Sequence, residues 1–283
     1  MSTASLIQPV DASVDTLRRI GAYVENRSAI LCPPDKAYLF ESRLRKIIRE
    51  HGLSGLTELA SRLNVSVHSP LGDAVVEAMT TNETSWFRDV HPFEALRTGI
   101  VPELVQTKQA TRKLSVWSAA CSTGQEPYSL AMMLDLHFPQ LHSWNVSIWG
   151  TDLSDEVLEH GRSGRYSALE VNRGLPAQYL ARYMSREGTS YVVSDTVKRR
   201  VHFEKLNLIA PWPVRSRFDL IMCRNVLIYF DSDVRARIVR KMRDTLNPGG
   251  FLLLGSSEIS LGNVEGFTRA VFGRTTVYRK DER

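Results

Sequence analysis

The sequence predicts an α/β fold, a doubly wound and mostly parallel sheet preceded by a small all-α domain and carrying a small antiparallel β excursion. Three observations predict it. From Asp11 to Thr80 apolar residues recur at helical spacing with no strand pattern between them. Beyond Val90 short apolar strands alternate with helices, the rhythm of a parallel sheet covered on both faces. Near the start of that second region, Leu114 to Ala120 meets the apolar run Leu130 to Leu136 through a tight polar turn, Cys121-Ser122-Thr123-Gly124-Gln125-Glu126, with Pro127 expected at the first helical position.

Within the first region the periodicity predicts helices over Val14 to Asn26, Pro34 to His51, Gly55 to Leu63 and Leu71 to Thr80, with Asn64 to Pro70 as a polar loop. This gives a helical domain over 1–79, a linker over 80–90 and a larger domain over 91–283. In the larger domain strands are expected at Leu114 to Ala120, Ser147 to Leu153, Val201 to Leu206, Phe218 to Cys223, Phe251 to Gly255 and Thr275 to Arg279. Helices are expected around Pro127, Asp155 and Ser232 to Leu246, the last ended by Asn247-Pro248-Gly249-Gly250. A helical piece from Pro176 to Met184, then Gly188 and the alternating Tyr191-Val192-Val193-Ser194, place the antiparallel excursion at about 185–200.

The 283 residues suffice for one large domain or two ordinary ones. Met1 to Val10 lacks a charged stretch followed by an apolar run, and no segment approaches the roughly 20 apolar residues needed to cross a bilayer, so a cytoplasmic protein is expected. Cys32, Cys121 and Cys223 are far apart and form no Cys-x-x-Cys pair, which suggests neither a disulfide framework nor a zinc site. A net charge of +5 favours acidic partners without saying which.

Ligands of doubly wound sheets bind at the carboxyl ends of the strands. The first turn offers only Gly124 where a dinucleotide fold would offer Gly-x-Gly-x-x-Gly, which argues against a diphosphate. Glu126 suits a ligand with an ammonium or sulfonium group, and S-adenosylmethionine carries both; alternatively Glu126 only complements the helix dipole. Asp152, at the end of the second strand, has the place of an acid that accepts from ribose hydroxyls, while Ser154 can cap the following helix. Asn207 suits an adenine edge or a turn, Arg224 suits a ligand or a structural acid, and Tyr229 suits a polar role or packing.

Taken together these motifs resemble the CheR-type chemotaxis receptor methyltransferases over nearly the whole chain. The resemblance rests on the linker Thr80-Thr81-Asn82-Glu83-Thr84-Ser85-Trp86-Phe87-Arg88, the turn Ala119-Ala120-Cys121-Ser122-Thr123-Gly124-Gln125-Glu126-Pro127-Tyr128-Ser129, Thr151-Asp152-Leu153, Leu206-Asn207-Leu208, Cys223-Arg224-Asn225-Val226-Leu227-Ile228-Tyr229-Phe230 and the Asn-Pro-Gly-Gly turn. It implies a Rossmann-like fold with S-adenosylmethionine as methyl donor and S-adenosylhomocysteine as product. Asn82, Thr84, Arg88, Glu126, Asp152, Asn207, Leu208, Arg224 and Asn225 are the implied cofactor contacts. Gln125 departs from the pattern, since family members often carry a second glutamate there.

The resemblance further implies methyl transfer to glutamates on the cytoplasmic helical bundle of a methyl-accepting chemoreceptor, with membrane association only through the receptor. Arg88 and Tyr229 are the expected catalytic residues, orienting an acceptor carboxylate that is already ionised at neutral pH. On Lys36 to Arg49, Phe40, Leu44 and Ile47 share one face, while Arg43, Lys46 and Arg49 are expected to project elsewhere and grip the acidic receptor; an ordinary solvated helix face is the alternative. The short segment after Met184 argues against a tether to a receptor tail pentapeptide. A nucleic-acid methyltransferase is a weaker alternative, because Arg224-Asn225-Val226-Leu227 lacks the Asp/Asn-Pro-Pro-Tyr sequence of DNA amino-group enzymes, so no nucleic-acid partner is expected. A cofactor-binding signalling adaptor without turnover is a third reading.

Overall fold

The computed structural model of the chain describes residues 12–65, 67–212, 217–258 and 265–282, so the reading of Met1 to Val10 lies outside the described residues. The chain divides into two compact units. One comprises the described residues up to Thr81 together with Tyr229–Asp231, and the other runs from Asn82 to Ile228 and resumes at Ser232.

The first unit is helical: α1 (Val14–Ser28), a single 3-10 turn at Pro34–Lys36, α2 (Ala37–Glu50), α3 (Leu56–Arg62) and α4 (Pro70–Met79). Local chemistry sets the ends. The Ser13 hydroxyl accepts from the Thr16 N–H, and Ser69 accepts from Gly72 with Pro70 in the first turn. At the start of α3 the Glu58 carboxylate accepts from the Ser54 N–H (2.7 Å) and hydroxyl (2.8 Å) and pairs with Arg62; these bonds pull its pKa down to about 2. α2 buries Phe40, Leu44 and Ile47 at helical spacing against Leu17, Ile20 and Val24 of α1 and residues of α3 and α4. Truncating one of these side chains, as in Leu44→Ala, is expected to cost about 2 to 5 kcal/mol.

The second unit opens with helical winding that the sequence did not suggest: α5 (His91–Ala95), a π-helical segment Leu96–Ile100 and α6 (Val101–Lys108). Pro92, Gly99 and Pro102 are of residue types that ordinarily interrupt a helix. In fact Pro92 sits in a first turn, where its missing N–H costs nothing, and Pro102 follows the wider π winding. Next come β1 (Lys113–Ala119), α7 (Gln125–His137), β2 (Asn145–Asp152), α8 (Asp155–Ser163), β3 (Arg165–Ser167), α9 (Ala168–Asn172), α10 (Ala177–Tyr183), β4 (Met184–Glu187), β5 (Ser190–Val193), α11 (Asp195–Lys198), β6 (Val201–Lys205), β7 (Phe218–Cys223), α12 (Ser232–Thr245), β8 (Leu246–Leu254), β9 (Phe267–Phe272) and β10 (Thr275–Lys280).

The main sheet has the order β6-β2-β1-β7-β8-β10-β9. Strands β6, β2, β1, β7 and β8 are mutually parallel, and β10 and β9 join antiparallel. The winding reverses between β1 and β7, so the crevice of the doubly wound fold lies at the carboxyl ends of those two strands. Helix α7 buries nearly every residue from Tyr128 to Asp135 in the main core, which explains its apolar run.

Four local expectations are corrected. Helix α7 begins at Gln125, two residues before Pro127. Asn247-Pro248-Gly249-Gly250 is not a free turn but the irregular start of β8, where the register against β7 shifts between Phe218 and Leu220 and the Asn247 amide donates to Asp219 (2.7 Å). The edge strand β9 was not anticipated, because half of its residues are exposed and it carries Thr268 and Arg269 between its apolar residues. The antiparallel excursion, expected at 185–200, starts earlier: β3, β5 and β4 form a three-stranded sheet in that order, and residues 195–198 are helical. Among the described residues no helix is long and apolar enough to cross a membrane.

Candidate active site

The turn after β1 is held in an unusual backbone path. Ala120 (φ 54°), Ser122 (φ 51°) and Gly124 (φ 91°) all adopt left-handed conformations, two of them without the freedom of glycine. Fixed bonds hold this path. The Cys121 N–H donates to the Thr151 carbonyl (2.9 Å), the Ser122 N–H to the Asp152 carboxylate (2.8 Å), and the Tyr166 hydroxyl to the Thr123 carbonyl (2.6 Å). A Cβ at Gly124 would meet the Phe203 ring at 2.9 Å, so glycine here serves close packing beneath the turn as well as the left-handed φ.

Helix α7 starts at this turn and carries Glu126. Its carboxylate accepts from the Ser118 hydroxyl (2.8 Å) and from Arg224 (2.9 Å). Arg224 follows β7 directly, and its guanidinium is only 1% exposed. The other terminal nitrogen donates to the Arg88 carbonyl (2.8 Å) and the Asp89 carboxylate (2.8 Å). One buried cation therefore ties the linker to the first turn of α7. The reading of Arg224 as partner of a structural acid describes this geometry, with Glu126 as one of two such acids.

The linker is pinned at further points. The Ser122 hydroxyl donates to the Asn82 carbonyl (2.7 Å), the Trp86 N–H to the Arg173 carbonyl (3.0 Å), and the Phe87 N–H to the Ser129 hydroxyl (3.1 Å). Trp86 is buried edge-on to Tyr166, the same tyrosine that holds the Thr123 carbonyl. Phe87, Asp89 and Val90 have positive φ, costly above all for the β-branched Val90. Thr84 is half-buried, and Arg88 donates to the Glu83 carbonyl (2.9 Å).

Asp152 is 8% exposed at the end of β2, and besides Ser122 it accepts from the Ser154 N–H (3.2 Å). Ser154 caps α8 as expected, accepting from Val157. The Asn207 side-chain oxygen accepts from the Ile209 N–H (3.1 Å), a local turn bond. Leu208 is buried, and its carbonyl accepts from Lys241 (2.9 Å), which also donates to Ala210 (2.6 Å) and lies 4.0 Å from the Trp212 ring centre. Burial, reinforced by Arg237, lowers the Lys241 pKa to about 8. Asn225 has φ 60°, and its buried side-chain oxygen has no hydrogen-bond partner among the described residues.

The remaining singled-out residues belong to the helical unit. Lys46 and Arg49 are exposed on α2, as is Arg45. Arg43 departs from expectation: it does not project, but donates to the Met79 (2.6 Å) and Thr80 (2.9 Å) carbonyls and the Thr81 hydroxyl (2.9 Å), closing the open end of α4. Tyr229 groups with this unit, its carbonyl accepting from the Leu31 N–H (3.1 Å).

Sequence reasoning missed Glu258, Ser118, Ser122 and Tyr166. Glu258, 2% exposed, accepts from the Asn225, Gly255, Leu227 and Ile228 N–H groups. The available signal was an acid three residues past the glycine that ends an apolar strand, at the same sheet edge as Asp152 and Arg224.

Residues 82–275 match the family described as CheR methyltransferase, SAM binding domain, and residues 15–80 match CheR methyltransferase, all-alpha domain. The chain is 42% identical over 241 residues to chemotaxis protein methyltransferase 1 of Pseudomonas aeruginosa, covering 83% of this chain and 87% of that one. It is 40% identical over 241 residues to chemotaxis protein methyltransferase Cher2 of Pseudomonas putida, with the same coverage of 83% and 87%. To a chemotaxis protein methyltransferase of Vibrio parahaemolyticus it is 39% identical over 254 residues, 88% of this chain and 91% of the other.

Proposed function

The chain belongs to the CheR methyltransferase family and is an S-adenosylmethionine-dependent methyltransferase of chemotaxis; from that premise we propose that its acceptor is a glutamate side chain on the cytoplasmic helical bundle of a methyl-accepting chemoreceptor, which becomes a methyl ester. What supports a cofactor site beneath this reading is the Arg224 junction, which ties the linker to Glu126 at the tips of parallel strands; the glutamate acceptor is inferred from the relatives' chemotaxis role. The residues present suit the cofactor. Two largely buried carboxylates, Glu126 and Asp152, and the Asn225 side-chain oxygen, which has no hydrogen-bond partner among the described residues, all follow parallel strands at their carboxyl ends, acceptors that suit a ligand with a cationic end and a sugar diol.

When bound, S-adenosylmethionine supplies a sulfonium methyl group open to displacement by a nucleophile. In this reading Glu126 faces the ammonium end, Asp152 takes the ribose hydroxyls, and Asn207 and Leu208 border the adenine. Asn82, Thr84 and Arg88 close from the linker side, and Asn225 offers its oxygen beside them. Arg224 acts chiefly by fixing Glu126 and the linker, since both its terminal nitrogens are committed to protein groups. An acceptor glutamate, with a reference pKa of about 4.3, is ionised at neutral pH and requires no general base. The protein's task is alignment, bringing the attacking oxygen to about 3 to 3.5 Å from the methyl carbon. Arg88 holds the acceptor carboxylate by donated hydrogen bonds in this reading, with the Tyr229 hydroxyl as a second candidate donor.

Exposed Arg45, Lys46 and Arg49 on α2 suit attraction of an acidic helical receptor in the cytoplasm, without a tail-peptide tether. Calorimetry with S-adenosylhomocysteine and with a receptor tail peptide separates the two sites. Heat with the first alone is expected, and micromolar binding of the peptide would overturn the untethered reading.

A further inference from the structure

The loop that follows β7 carries Asn225 and leads to Tyr229, and its backbone N–H groups are gathered from outside the loop. A carboxylate from a distant stretch of sequence does so. Glu258, 2% exposed after β8, accepts through one oxygen from the Asn225 (2.7 Å) and Gly255 (2.9 Å) N–H groups, and through the other from Leu227 (2.6 Å) and Ile228 (3.3 Å). The last two N–H groups open the 3-10 turn Leu227–Tyr229, whose own carbonyls cannot accept from them, so the Glu258 carboxylate takes that place. Gly255 permits the approach, because a Cβ there would meet the Glu258 oxygen at 2.5 Å and the Asn225 nitrogen at 3.0 Å.

A buried carboxylate satisfied, among the described residues, by backbone N–H groups is a costly way to end a strand, and its geometry leaves little latitude. It fixes the loop where Asn225 has φ 60° and a buried side-chain oxygen without a hydrogen-bond partner among the described residues. We propose that Glu258 is a positioning residue for methyl transfer: by gathering the N–H groups of the 225–228 loop it holds the Asn225 side chain in the orientation that contacts the cofactor. The inference rests on the reading of Asn225 as a cofactor contact.

Glu258→Gln tests it, since the amide keeps the size but turns an NH2 group toward backbone donors. Calorimetric affinity for S-adenosylhomocysteine is expected to fall about tenfold, the loss associated with one buried hydrogen bond left unmade. The far-UV circular dichroism should be that of the wild type. Asn225→Ala should lose a similar factor, and the double variant should lose little more than either single one, because both act through the same contact. Wild-type affinity in folded Glu258→Gln, or fully additive losses, would overturn the proposal. Unchanged affinity in Asn225→Ala beside a loss in Glu258→Gln would overturn it through the reading of Asn225, which separates the two failures. Should Glu258→Gln not fold, Gly255→Ala displaces the same carboxylate from the strand end; weakened binding is expected, and unaltered binding contradicts the proposal.

Discussion

In the helical unit Arg45, Lys46 and Arg49 stand exposed on α2 over an apolar interior, whereas in the sheet unit Arg224, Asp152 and Glu258 are buried and bonded to protein groups at the strand tips. The contrast is physical. An exposed cation stays hydrated, costs little and acts over about 10 Å before salt screens it, so it suits attraction of a large charged partner. A buried charge must be matched atom by atom, and the matching fixes direction, so it suits a small ligand. Arg43 marks the boundary between the two uses: it lies on the same helix as the exposed cations but spends its donors on the end of α4.

Removing the central buried cation should break the sheet-unit side of this contrast most severely. Arg224→Ala leaves Glu126 and Asp89 without their ion pair, and is expected to lower unfolding free energy in urea by about 3 to 5 kcal/mol. Calorimetric binding of S-adenosylhomocysteine should weaken with it; unaltered stability and binding would mean that the junction holds nothing.

Next in size is Arg88→Ala. If Arg88 aligns the acceptor, turnover with receptor fragments should drop about a hundredfold, the cost of small misplacements at a reacting centre, with a much smaller change in S-adenosylhomocysteine affinity. Equal losses in the turnover and binding measurements would reassign Arg88 to cofactor binding alone.

Charge reversal on α2 probes the exposed set. Converting Arg45, Lys46 and Arg49 to glutamate should slow receptor methylation about tenfold at low salt and flatten its salt dependence, while S-adenosylhomocysteine affinity stays that of the wild type. A salt-insensitive wild type would identify these residues as an ordinary solvated face.

The smallest effect concerns Glu58. Its folded pKa of about 2 lies below its ordinary value, so its carboxylate contributes stability that is fully present above the unfolded pKa and is lost as pH falls through the folded one. The difference in urea midpoint between wild type and Glu58→Gln should accordingly be constant near neutrality, shrink below about pH 4.3 and vanish near pH 2. A difference that persists at pH 2 would show that the carboxylate charge is not its source.

Much of this architecture was legible because its signals are local. Periodicity gave the four N-terminal helices, and the short apolar runs gave the parallel strands. Asp152 could be separated from helix capping because Ser154 stood ready for that role, and Ser154 does cap α8. The helical winding over residues 91–108 was hidden by two prolines and a glycine, and β9 by its exposed polar residues. At the site, the sequence brought Glu126 and Arg224 to one sheet edge but could not show that they bind each other, since a contact across 98 residues leaves no local trace. Glu258 offered only its place, an acid just past the glycine that ends an apolar strand; its partners are backbone N–H groups, which every sequence supplies and none advertises.

The most direct measurement is incubation of the purified protein with methyl-labelled S-adenosylmethionine and acidic cytoplasmic fragments of chemoreceptors, followed by mild alkali. Label should move to the fragment, depend on its glutamates, and leave as methanol on base treatment. Label that stays bound through alkali, or that transfers equally when those glutamates are changed to alanine, would contradict carboxylate methylation.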